Sequence, residues 1–96
     1  MIAPEPLQRC FLAEWYQPAV VNRDIDDVAA TLGDTVARHH DQGHSIQLLA
    51  ALAAPTDQVL YGLFAAESAD TVAQVCREAG WPADRITSGI QARIPS

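Results

Sequence analysis

The stretch "SIQLLAALAAPTDQVLYGLFA", residues 45 to 65, admits two readings, and the choice between them decides the fold. Alanine and leucine favour a helix over 45–54 by intrinsic propensity. The three residues that follow, Pro55-Thr56-Asp57, have the composition of a turn, and beyond them Val59, Tyr61 and Phe64 favour strand. A strand over 45–54, a turn at 55–57 and a second strand over 58–65 therefore account for the whole stretch as a hairpin.

Upstream, "CFLAEWY" (10–16) is rich in aromatic and apolar residues and is closed by Gln17-Pro18, which reads as a first strand. Alternation sets Cys10, Leu12, Glu14 and Tyr16 on one face and Phe11, Ala13 and Trp15 on the other. Over 22–42 the period changes. Asn22 or Asp24 caps, Asp24, Asp26 and Asp27 suit the positive end of a helix dipole, and Ile25, Val28, Ala29, Leu32, Val36 and His39 follow three/four spacing, so an amphipathic helix is predicted that ends at Gly43. Downstream, Ser68 caps "ADTVAQVCREA" (69–79), with Gly80 as the stop and Pro82 beyond it. In the last segment, "DRITSGIQARI" (84–94), Ile86, Ser88, Ile90, Ala92 and Ile94 alternate with Thr87, Gly89, Gln91 and Arg93, which predicts a fourth strand with one apolar face.

The resulting order, β-α-β-β-α-β, is the ferredoxin-like α+β pattern: a four-stranded antiparallel sheet with two helices on one face. Two helices cover only one side of such a sheet. The hairpin strands, however, are apolar on both parities, with Ile46, Leu48 and Leu52 against Leu49, Ala51 and Ala53, and with Val59, Tyr61 and Leu63 against Leu60 and Phe64. A second copy packing sheet to sheet is the simplest cover, so a homodimer through the sheet face is expected. Residues 1–9 read as an extended N-terminal arm and 10–96 as a single domain.

Composition narrows the function classes. Of the 96 residues, 12 are acidic and 6 are arginine or lysine, for a net charge of −6. Nothing in that balance neutralises phosphates, so neither nucleic acid nor an anionic membrane surface is expected as a partner. The opening "MIAPEPLQR" has neither the basic nor the apolar region of a secretion signal, which makes the cytoplasm the expected location. Cys10 and Cys76 fit no zinc or redox spacing and read as buried or half-buried thiols. Apolar residues make up 49 % of the chain, but 17 of them are alanine, so large side chains available for burial are few and a partner surface would help.

With these segments placed, residues 10–94 resemble a family of small bacterial proteins long labelled a domain of unknown function. The resemblance is carried by "FLAEWYQP" (11–18), "GHSIQLLAAL" (43–52), "LFAAESADTVAQV" (63–75) and "REAGWPADRI" (77–86), the last being the most specific. It implies a ferredoxin-like, dimeric α+β barrel, and some relatives are described as nickel-binding. Such proteins tend to carry a serine and an aromatic where this chain has Ala51 and Leu52, an acid where it has Ala65, and often a histidine where Val75 and Cys76 sit. Of the polar groups that line their pocket, Glu14 is the one carried over.

Three sets of residues are candidates for function. Glu14, on a strand apolar on both sides, would be desolvated unless paired with an arginine such as Arg85 or Arg93, and so suits ligand binding. Tyr16 and Tyr61 offer hydroxyls for hydrogen bonds in a pocket between the sheet and a partner, or serve as strand packing residues. His39, His40 and His44 are either the end of a helix or a weak metal site, with Gly43 placing His44 beyond the helix that carries the other two. The expectation is a homodimer, not an enzyme, that holds a small apolar molecule, or weakly a transition metal such as Ni(II), between sheet and helices, with no cofactor required. Its rivals are a cofactor-poor monooxygenase, cyclase or isomerase, by fold analogy alone, and a structural or regulatory subunit without a ligand.

Overall fold

In the structure, a computed structural model describing residues 9–93, each long helix begins at the cap its sequence supplies. The Asp24 carboxylate accepts from the Asp26 backbone N–H at 2.8 Å, and the Ser68 hydroxyl accepts from that of Thr71 at 3.2 Å. Glycine closes both: Gly43 and Gly80 have φ of +93° and +91°, and the His44 and Trp81 N–H groups return to the carbonyls of His39 and Cys76 at 3.0 and 2.9 Å. Such left-handed closure satisfies carbonyls that the last helical turn leaves unpaired.

The elements run β1 (Arg9–Trp15), α1 (Pro18–Val21), α2 (Ile25–Asp41), β2 (Ile46–Ala54), a single 3-10 turn (Pro55–Asp57), β3 (Val59–Ala66), α3 (Ala69–Glu78) and β4 (Arg85–Ile90). The sheet order is β2-β3-β1-β4, and every neighbouring pair is antiparallel. This is the predicted α+β order. The one-turn α1 was not expected; it forms because Pro18 occupies the first helical position, where its missing N–H has no cost. The expected arm over 1–9 lies outside the described residues except for Arg9, which is already part of β1.

All the helices lie against one face. Phe11, Ala13 and Trp15 of β1 and Leu60, Phe64 and Ala66 of β3 are buried beneath Val28, Leu32 and Val36 of α2 and Val72, Val75 and Cys76 of α3. Burial pushes the Cys76 thiol pKa up to about 12, which makes it an inert packing group. Trp15 anchors the core twice. Its indole N–H donates to the Trp81 carbonyl at 2.7 Å, and its ring fills the space above Gly62, where an added Cβ would meet Phe64 at 3.0 Å and Trp15 at 3.2 Å.

The edge strands depart from the simple alternation read in the sequence. In β2 the register shifts between Leu48 and Ala50, so Ile46 and Leu48 oppose Phe64 and Ala66 on the helix side while Ala50 and Leu52 oppose Leu63 and Tyr61 on the other. In β4, Thr87 opposes Leu12 and Ile90 opposes Cys10, so β4 carries one extra residue. Gly89, at φ +72°, supplies the left-handed turn that a bulge requires. The predicted single apolar face of β4 is therefore wrong. Ile86 packs toward the helices, Ile90 lies on the open face, and the strand stops there.

Candidate functional site

Among the described residues, no helix covers the other face of the sheet. Register and alternation set on it Cys10, Leu12 and Glu14 of β1, Tyr61 and Leu63 of β3, Ala50 and Leu52 of β2, and Arg85 and Thr87 of β4. These residues are half-buried or exposed, Leu52 by 50 %. The only ionic groups among the paired strand residues of this face are Glu14 and Arg85, one of each sign.

Glu14 is the centre of a polar cluster. It lies directly across from Tyr61 on β3 and from Arg85 on β4. The Tyr16 hydroxyl donates to Glu14 Oε1 at 2.9 Å, and Arg85 Nε stands 3.9 Å from Glu14 Oε2. The Glu14 side chain is only 16 % exposed, against 66 % for Arg85. Asp84 positions the tyrosine: its carboxylate accepts from the Tyr16 N–H at 2.8 Å, and its own N–H donates to the Glu14 carbonyl at 2.9 Å. Hydrogen bonding to Glu14, with desolvation and the same carboxylate's charge, raises the Tyr16 phenol above its ordinary pKa of 10.0, and Arg85 works the other way. A carboxylate, a phenol and a partly engaged guanidinium thus stand together at one end of a largely apolar face. Register sets Glu14 and Tyr61 on one face, and the Tyr16 hydroxyl reaches Glu14 from just beyond the end of β1.

The histidines are arranged differently. His39 is buried, and its Nε2 meets the Glu78 carboxylate of α3. Its Nδ1 is buried with no hydrogen-bond partner among the described residues. His44 Nδ1 lies 3.3 Å from Glu67 Oε1, and the His39 and His44 rings are 5.5 Å apart between centroids. His40 is exposed and lines a separate groove of about 440 Å³ between α2 and the start of β2, with Val36, Ser45 and Gln47. Among the described residues, no three His, Cys, Asp or Glu side chains converge to hold a metal. Two histidines clasp a corner of the fold to two carboxylates, and the third stands apart.

A second cleft, of about 680 Å³, opens where the β4 bulge separates that strand from the start of α3, between Arg9, Cys10, Ser68 and Gly89. Asp84, Glu67 and Glu78 were not singled out from sequence. Each is an acid in a segment far from the group it serves, and no local pattern marks it.

No family model matches the chain, and no curated protein matches it. Among solved structures, the chain is similar to SCO4226 from Streptomyces coelicolor A3(2), with a TM-score of 0.68 and 23 % sequence identity, over 86 % of this chain and 99 % of that one. At that identity the likeness establishes a shared fold: a small α+β sheet-and-helix domain with a bacterial counterpart of nearly the same extent. No helix among the described residues is long and apolar enough to cross a membrane.

Proposed function

We propose that the protein is a binding module, a homodimer whose open sheet faces pack together around a small, largely apolar molecule held at its polar end by Glu14, Tyr16 and Arg85. The observation that supports this most is the neutrality of the face. In a chain of net charge −6, the paired strand residues of the open face carry one Glu14 and one Arg85, and the rest are uncharged, with Leu12, Leu52, Leu63, Ile90 and Tyr61 among them. Two such chains repel one another over most of their surfaces, and this face is where approach costs least. Desolvation on packing would strengthen the Glu14–Tyr16–Arg85 contacts and leave an apolar floor for the guest. Any affinity for Ni(II) in this reading is weak, because only His39 and His44 approach each other.

Native mass spectrometry of untagged protein, purified without chelator, tests the reading. A dimer retaining an organic mass, with Leu63→Glu giving monomers that have lost it, is the expected result. A monomer at micromolar concentration overturns the proposal. A bare dimer that takes up neither organic guest nor nickel leaves the face as an interface alone, the structural-subunit reading.

A further inference from the structure

The sheet also has two edges, and they differ in what they offer another chain. The β4 edge is six residues long, opens with Arg85 and is bent by Gly89 in its left-handed conformation. The β2 edge is nine residues long, pairs among the described residues with β3 only, and contains neither charge nor proline. From Ser45 to Thr56 the sequence has no ionisable side chain at all. Apart from the bulge at Leu49, an edge of that kind presents a row of backbone donors and acceptors with none of the charges or prolines that repel a second strand.

The bulge at Leu49 limits where pairing can occur. Beyond it, Ala50 to Ala54 form a regular ladder with β3, each opposite one residue from Leu63 to Val59. Pro55, which has no N–H, ends that ladder on the other side. Five residues remain, centred on Leu52, the most exposed large apolar side chain of the strand at 50 %. A two-fold axis normal to the sheet through this point sets Ala50 against Ala54 of a second copy, Ala51 against Ala53, and Leu52 against its own mate. Each pair differs by an even number of positions, so both members lie on the same face and the two sheets join without a step. The four flanking alanines put nothing bulky in the way.

We propose that Ala50–Ala54 of β2 is a self-pairing edge, to which a second copy adds its own β2 antiparallel, making one continuous eight-stranded sheet. This contact uses the edge rather than the open face, so it stands whether or not the face packs as proposed above. The edge axis is normal to the sheet and a face-packing axis lies parallel to it. The two contacts together therefore close a four-chain assembly where the axes intersect.

Leu52→Cys tests the register directly, because directly opposed residues of an antiparallel pair bring their Cβ atoms to about 4.5–5.5 Å. In a Cys10→Ser background under mild oxidation, Leu52→Cys is expected to give a disulfide-linked dimer as the major species, and Gln47→Cys, on the same face but across the bulge, is expected to give at least tenfold less. The yield is expected to persist when Leu63→Glu disrupts the open face. Ala51→Lys with Ala53→Lys sets lysine against lysine across the axis and should cut trapping at least tenfold. Ala51→Glu with Ala53→Lys sets opposite charges across the same axis and should restore it, which separates an effect on the contact from an effect on folding. Equal trapping at positions 47 and 52, trapping that vanishes with Leu63→Glu, or indifference to the lysine pair would each overturn the proposal.

Discussion

Glu14 and Trp15 are neighbours in the chain and lie in different environments. Trp15 is fully buried beneath the helices with its one polar atom satisfied; Glu14 is on the face with no helix over it, bonded to Tyr16 and near Arg85. The helix side is a finished core in which large side chains of the sheet and the helices pack together. The open side has as much strand but is built from half-buried leucine and alanine around one carboxylate. One face therefore stabilises the fold by itself, and the other acquires its energy only when something is laid against it.

The largest effect that would break this contrast is at Trp15. Trp15→Ala is expected to cost about 3–5 kcal/mol in urea unfolding, at every protein concentration, through the cavity and the stranded Trp81 carbonyl. If Leu12→Ala, one strand position from the same core but on the open face, cost as much in dilute protein, the two faces would be equivalent and the contrast would fail. Gly62→Ala comes next. Its Cβ would press on Trp15 and Phe64, and about 1–3 kcal/mol of destabilisation is expected by thermal melting.

How far this contrast could be read from sequence depends on the range of the contacts involved. The period of two in 10–16 marked both faces of β1 correctly, and the glycines at 43 and 80 marked both helix ends, because these are local constraints. The bulges at Leu49 and Gly89 escaped, since an extra residue becomes visible only when a strand is laid against its partner. Without them, Leu52 was grouped with Ile46 and Ile90 with Ile86, each on the wrong face. Strand parity relates Glu14 to Tyr16 within one strand, but only the β1–β3 register sets Tyr61 opposite Glu14, and Asp84 and Glu78 act across the fold on residues far away in sequence. Histidines 39, 40 and 44 are close in sequence, but a helical step of 100° between 39 and 40 turns one inward and the other out.

Two smaller measurements sharpen the comparison. Leu63→Ala should lower the melting temperature in a way that depends on protein concentration if the open face is an interface, and should leave a concentration-independent loss of about 1 kcal/mol or less if it is not. The smallest effect is in the titration of Tyr16. Its folded pKa lies above the ordinary 10.0, so the fold favours the neutral phenol. That contribution is present below pH 10 and is lost as the pH rises through the folded value. Ultraviolet titration should show one tyrosine ionising late, and Glu14→Gln should bring it back toward 10. An unchanged titration would mean that the phenol does not sense the carboxylate.

The place of β1 in the sheet has a consequence for how the chain is made. Phe11, Ala13 and Trp15 leave the ribosome early, yet β1 lies between β3 and β4, and the carbonyl that receives its indole belongs to Trp81. At about 5–20 residues per second, several seconds pass before either neighbour exists. One of the two central strands of the finished sheet is thus the one left longest without neighbours during translation. A nascent chain that ends before residue 59 holds this apolar segment and all of β2 but not β3, the strand that pairs with both, so the apolar face of β1 waits for its first sheet neighbour through the synthesis of α2 and β2.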